Sequence, residues 1–192
     1  MTPGMEAENW LNEPAVWREK PNTLEIVTDH GSDFWRKTSY GFTRHSGHAR
    51  LVEFPDDSSI ECTFRADFSQ QFDQAGIMVW GDEANWIKCG VEYADGVLGI
   101  GAVVTRELSD WSTGPHPYWA DQPVTLRISR KNGAVTIRAK TDVSPWELVR
   151  LAPLQEGLFW QVGPYAASPS REGLEVTFTD ITFGPAESAL HS

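Results

Sequence analysis

The side chains best placed for chemistry in this 192-residue chain lie between Ser58 and Thr105. Read as successive antiparallel strands, this stretch sets Asp67, Gln74 and Glu92 abreast on one face. Arg65 and Lys88 stand beside them, and Trp80 and Trp86 pair across strands at the far end. Two carboxyls two strand spacings apart, about 9.6 Å, match the roughly 6.5–9.5 Å that an inverting glycosidase leaves for its water. The charges argue against that chemistry. Arg65 and Lys88 favour the ionised acids, whereas a general acid needs a raised pKa. The Glu-x-Asp-x-x-Glu strand signature of laminarinase-type enzymes is also absent, so no catalytic residue is expected and glycoside hydrolysis is the weakest reading.

Binding without cleavage suits the same face better. Gly76, Gly90 and Gly101 fall side by side on three strands, where glycine weakens a sheet unless something approaches the backbone or the sheet curves strongly. Aromatic faces take the apolar side of a sugar ring, while amides, carboxylates and cations take its hydroxyls. The expected ligand-binding set is Arg65, Gln74, Trp80, Trp86, Lys88 and Glu92, with Trp35 and Trp111 added from loops, and the expected ligand is a saccharide or another small polar molecule. Two alternatives stay open. The face fits an ordinary outer sheet surface, or one covered by the Trp-rich loops, since paired tryptophans stabilise a hairpin by themselves. It also fits a regulatory module that docks a protein partner through Trp-rich loops around Trp35, Trp111 and Trp119.

Other chemistries find little support. His45 and His48, three apart in extended chain, point to opposite faces and have no third ligand nearby, so surface histidines in a turn are expected rather than a metal site. Cys62 and Cys89 each alternate with apolar neighbours and read as buried free thiols. Asp110-Trp111-Ser112 fits no hydrolytic triad, and Thr113 to Trp119 reads as a rigid aromatic loop. Gly96-x-x-Gly99-x-Gly101 leads into a strand rather than a helix N-terminus and is no phosphate loop. No cofactor is expected.

The elements that must position these residues are all strands. Period-two stretches separated by turn dipeptides give about a dozen, from Leu24–Thr28 to Leu174–Phe183, the pattern of an antiparallel sandwich. Asp95-Gly96 and Asn132-Gly133 are type I′ turn pairs. They set Ala94 opposite Val97, Lys131 opposite Ala134, and Arg127 opposite Arg138, a like-charge pair that needs an acid or water nearby. The inward set Leu174, Val176, Phe178 changes parity to Ile181 and Phe183, which requires a bulge at Thr179-Asp180. Ser58–Phe68 is expected to lie beside Gln74–Trp80 in one sheet, with Ile77, Val79, Ile87, Cys89, Val91 and Ile100 facing the core.

Nine tryptophans and 40% hydrophobic residues suit one folded domain, 1–192 with its core at about 10–184. The first fifteen residues or so and the tail after Gly184 look dispensable. A formal charge of −11 excludes nucleic acid and anionic membrane as partners. The longest apolar run, Val97 to Val104, is far too short to span a bilayer. A cytoplasmic monomer or weak dimer is expected.

Five ordered blocks carry a family resemblance: Asp33-Phe34-Trp35-Arg36-x-Thr38-x-Tyr40-Gly41-Phe42, Phe72-Asp73-Gln74-Ala75-Gly76-x-Met78, Trp86-Ile87-Lys88-x-Gly90-x-Glu92-Tyr93-x-Asp95-Gly96, Ser109-Asp110-Trp111-Ser112, and Gly163-Pro164-Tyr165-Ala166-Ala167-Ser168-Pro169. Together they resemble the regulation-of-enolase protein family over roughly Trp10 to Phe183. The resemblance implies a concanavalin A-like, lectin/glucanase-type jelly roll with a concave face. It supplies no catalytic residues, since that family's domain is formally of unknown function.

Overall fold

A computed structural model describes residues 9–191 of the chain. Sixteen strands follow one another: β1 (Asn9–Leu11), β2 (Val16–Lys20), β3 (Thr23–Val27), β4 (Phe34–Arg36), β5 (Thr43–His45), β6 (His48–Glu53), β7 (Ser58–Ala66), β8 (Gln74–Asp82), β9 (Asn85–Ala94), β10 (Val97–Arg106), β11 (Leu108–Pro115), β12 (Val124–Lys131), β13 (Ala134–Thr141), β14 (Glu147–Pro153), β15 (Gln161–Ala167) and β16 (Glu175–Pro185). A short 3-10 turn at Pro117–Trp119 is the only helical element among the described residues. The fold is an all-β, two-sheet antiparallel jelly roll. The first sheet runs β1-β6-β15-β8-β9-β10-β11 and the second β14-β13-β12-β7-β16-β3-β2; β4 and β5 form a separate ribbon.

The core lies between the sheets, as strand parity requires. Ile77, Val79, Ile87, Cys89, Val91 and Ile100 meet Ile60, Cys62, Phe64, Leu126, Ile128 and Phe178 in one apolar cluster. Both thiols are free and buried. Burial pushes the Cys89 thiol up to about 12 and raises Cys62 as well, so both are inert at neutral pH.

Both short hairpins take the expected register. Ala94 faces Val97, Lys131 faces Ala134, and Arg127 faces Arg138. Asp95 and Asn132 adopt the positive φ that the turn demands, 53° and 52°. The like-charge pair is neutralised: Glu187 accepts from both arginines at 3.3 and 3.0 Å, and Glu61 accepts from Arg127. The tail after Gly184, expected to be dispensable, thus makes contacts with the second sheet. Besides Glu187, the Leu190 carbonyl accepts from Arg138. At the other end, β1 pairs with β6 from Asn9 onward, so the N-terminal segment from that point is part of the first sheet. The earlier residues of the stretch expected to be dispensable, 1–8, lie outside the described ones. The bulge in β16 is where the parity change puts it, between Thr179 and Thr182 with Asp180 at φ 52°.

One strand changes sheets relative to expectation. β7 does not neighbour β8; it lies between β12 and β16 in the second sheet and faces β8 across the core. The long connection Asp67–Asp73 crosses between the sheets, whereas the parity of β7 only required that Ile60, Cys62 and Phe64 point inward. Arg65 consequently stands exposed on the outer face of the second sheet, and Asp67, also exposed, begins the connection, its carbonyl accepting from Arg171.

Candidate functional site

On β8, β9 and β10 the outward residues sit in the expected register. Gln74 faces Glu92, Met78 faces Lys88, Trp80 faces Trp86, and Gly76, Gly90 and Gly101 lie abreast. The glycines are needed because the strands themselves close in. A Cβ on Gly76 would collide with the Cys89 carbonyl, and one on Gly101 with the Ser112 carbonyl. Tyr165 of β15 lies opposite Gly76. Over Gly90 and Gly101 only about 20 Å3 is empty, walled in part by Tyr165, Trp111 and Glu92. That leaves no room for a ligand on the glycine row.

The β4–β5 ribbon covers one end of this face. Phe34 is fully buried, with ring centroids 6.0 Å from Trp86 and 6.4 Å from Trp80. His45 stands edge-on to both tryptophans, and burial lowers its pKa. Gly47 permits this docking, since a Cβ there would run into the Phe34 ring. Asn12 donates to the His45 and Gly47 carbonyls. Arg36 fastens the other side by donating to the Glu83 and Glu107 carbonyls. The histidines are not surface groups: His48 is 2% exposed, and its ring donates to the Asn12 carbonyl and accepts from the Asp29 amide.

Alternation along the ribbon sends Phe34 and Arg36 into the scaffold and leaves Asp33 and Trp35 beside a cavity of about 500 Å3. Aromatic rings form its walls: Trp35, Tyr40 and Phe42 from the ribbon, Phe72 from the β7–β8 connection and Trp111 from β11. Its floor is a chain of polar groups. Lys88 Nζ donates to Gln74 Oε1 at 2.7 Å and to Asp33 Oδ1 at 3.3 Å, and Gln74 Nε2 donates to Glu92 Oε2 at 3.3 Å. Gln74 and Lys88 are 1% and 3% exposed, so the chain spares both from lying unsatisfied in a low-dielectric site. Burial pushes the Glu92 carboxyl up to about 7; Lys88 opposes the rise and Asp33 adds to it.

The far wall is clamped. Asp73, fully buried, accepts from the Ser69 and Gln70 amides and takes a two-pronged contact from Arg171 at 3.0 and 2.6 Å. That ties the Phe72 turn, held at φ 66°, to the Pro169–Ser170 rim.

A family of proteins of unknown function, DUF1349, matches residues 10–186. The chain belongs to this family. It is 37% identical over 188 residues to Regulation of enolase protein 1 of Saccharomyces cerevisiae, covering 95% of this chain and 92% of the yeast protein. The crystal structure of a functionally unknown protein from Saccharomyces cerevisiae superposes with a TM-score of 0.89 at 36% identity, covering 94% of this chain and 97% of that one. Lectin I-B4 from Griffonia simplicifolia, in its metal-free form, matches with a TM-score of 0.56 at 14% identity over 95% and 94% of the two chains, a likeness of fold alone.

In this DUF1349 member Gln74, Lys88, Glu92, Trp35 and Trp111 converge on one cavity, and three other expected positions do not. Arg65 belongs to the opposite sheet. Trp86 is fully buried beneath Phe34 and His45, and Trp80 packs on the same cluster. Trp119 of the proposed docking loops is also buried, in the main core. With Arg65 absent and Lys88 engaged by Asp33, the expectation that cations keep Glu92 ionised gives way to a carboxyl that titrates near neutrality. Asp33, Tyr40, Phe42 and Phe72 were not singled out as site residues, although the DUF1349 blocks beginning at Asp33 and Phe72 contain all four.

Proposed function

We propose that this protein binds a saccharide, or a small polar ligand of similar chemistry, in the ribbon-covered cavity and does not break it. The reading takes the chain as one jelly-roll domain, monomeric or weakly dimeric, acting in the cytoplasm without metal or cofactor. One observation carries it: a floor of amide, ammonium and carboxyl groups inside walls of five aromatic rings, the combination that suits a ring with one apolar face and peripheral hydroxyls. Tyr40 and Trp111, 53% and 39% exposed, are the walls most open to a ligand. Of the two acids first set out for hydrolysis, Asp67 lies in the connection after β7 and does not line the cavity, and the second carboxyl beside Glu92, Asp33, is held by Lys88. That supports binding over cleavage.

A glycan array and a thermal-shift panel with the whole chain test the proposal. Trp111→Ala should cost about 1–3 kcal/mol of affinity for the glycan that binds, and Glu92→Gln should mainly change which glycan is preferred. Release of reducing sugar that is lost in both Glu92→Gln and Asp33→Asn would replace binding by hydrolysis.

A second reading, a regulatory module that docks a protein, rests on Tyr118, 91% exposed in the aromatic loop after β11, and on the regulatory name of the yeast relative. Silence on every glycan, together with recovery of one partner that Tyr118→Ala abolishes, would favour it.

A further inference from the structure

The cavity above is not the only space its aromatic walls enclose. On their other side lies a second cavity of about 480 Å3, bordered by Thr38, Ser39, Ser109 and Asp110. Trp35, Tyr40 and Trp111 line both. The three rings are therefore a ridge between two basins rather than the end of one. Two of them are open to solvent along it, Tyr40 at 53% and Trp111 at 39%. The two basins repeat the same chemistry: an aromatic ring beside a carboxyl, with Glu92 and Asp33 on one side and Asp110 on the other.

Resting on the saccharide reading, we infer that the ligand is a linear oligosaccharide whose chain crosses the Tyr40–Trp111 ridge and places one sugar unit in each basin. A monosaccharide would leave the second basin and one side of the ridge unused. An oligosaccharide stacks successive rings on a ridge of this kind while carboxylates on either side accept from its hydroxyls. Charge selects a neutral chain. Two of the cations near the basins are paired with carboxylates, Lys88 with Asp33 and Arg150 with Asp110, and the third, Arg44, stacks over the Phe42 ring at 4.7 Å. A chain of uronic acids would meet three carboxyls on a protein of formal charge −11.

Asp110 is the residue that separates this inference from the reading beneath it. Its side chain is 69% exposed and lines only the second basin, so replacing it leaves the fold intact, which an unchanged melting temperature verifies. The experiment is calorimetric titration of the full chain with gluco-, xylo- and manno-oligosaccharide ladders, from monosaccharide to hexasaccharide, on wild type, Asp110→Ala and Glu92→Gln. In the series that binds, affinity should climb about tenfold at the length that first puts a unit in the second basin and then level off, the increment expected for one more stacked ring. Asp110→Ala should remove most of that gain and leave monosaccharide affinity unchanged, whereas Glu92→Gln should alter both. Equal affinity for all lengths, insensitive to Asp110→Ala, would overturn the second basin as a subsite while the first cavity kept its role. No binding by any ladder would overturn the saccharide reading and this extension together.

Discussion

Strands β13 and β8 both have a neighbour on either side in their sheets, yet they are buried differently. Along β13 burial alternates residue by residue, one face in the core and the other in water. Along β8 six successive residues from Gln74 to Val79 are buried. Antiparallel sheets ordinarily leave one face wet, and the second sheet does so: its outer face carries Arg127, Arg138 and Glu61 in ion pairs at the surface. The first sheet has its outer face roofed by the β4–β5 ribbon and the loops around it. Polar residues with the same outward parity thus meet different fates. On β13 and β12 they are surface charges, and on β8 and β9 they become the floor of an enclosed site.

The sharpest way to break this comparison is to remove the roof. Phe34→Ala should destabilise the protein by about 4 kcal/mol in urea unfolding, the cost of deleting a large buried side chain. Thr136→Ala, on the wet face of β13, should change stability by less than about 0.5 kcal/mol. Similar values for the two would mean that the ribbon rests on the sheet without packing.

A smaller effect concerns protons. Because the folded pKa of Glu92 is raised to about 7, the native state keeps a proton that the unfolded chain has lost above its ordinary carboxyl pKa. Stability attributable to this group therefore falls as pH rises from about 4.5 to about 7 and stays low beyond, by on the order of 3 kcal/mol. In Glu92→Gln that part of the slope should disappear from a series of denaturant midpoints taken between pH 4.5 and 8. An unchanged slope would mean that Glu92 is solvated like the acids of the second sheet.

The smallest effect belongs to the wet face. Glu187→Ala leaves Arg127 and Arg138 opposed and should cost about 1 kcal/mol, less at high salt, since the pairs are partly exposed. A loss as large as that of Phe34→Ala would erase the distinction between the faces.

The parts legible in the sequence were those governed by local chemistry. Asp95-Gly96 and Asn132-Gly133 have turn preferences strong enough to set register, and the parity change at Thr179-Asp180 can be met only by an extra residue. The position of β7 was not legible, because inward parity is the same whichever sheet a strand joins. Trp80 and Trp86 were placed correctly on the outward face, but nothing in their alternation reveals that Phe34, some fifty residues earlier, closes over them. β15 was partly hidden by Pro164, which lacks the amide a central strand normally donates. Its ladder to β6 has no paired residues at Gly163 and Pro164, yet resumes in the same register at Tyr165. The aromatic cavity escaped for the same reason as the roof, since Asp33, Tyr40 and Phe42 join Gln74 and Glu92 only through tertiary folding.

The place of β16 bears on how the molecule is made. It lies between β7 and β3, so the second sheet is two separate pieces until Glu175–Pro185 is available to join them. A chain emerging from the ribosome carries β2, β3, β7, β12, β13 and β14 long before that strand, each with an apolar face and some with an unpaired edge. Such edges invite pairing with other chains. Synthesis is therefore a race between translation and aggregation that ends only with this joining strand, and a nascent chain stalled before Glu175 should depend on chaperones in a way the completed protein does not.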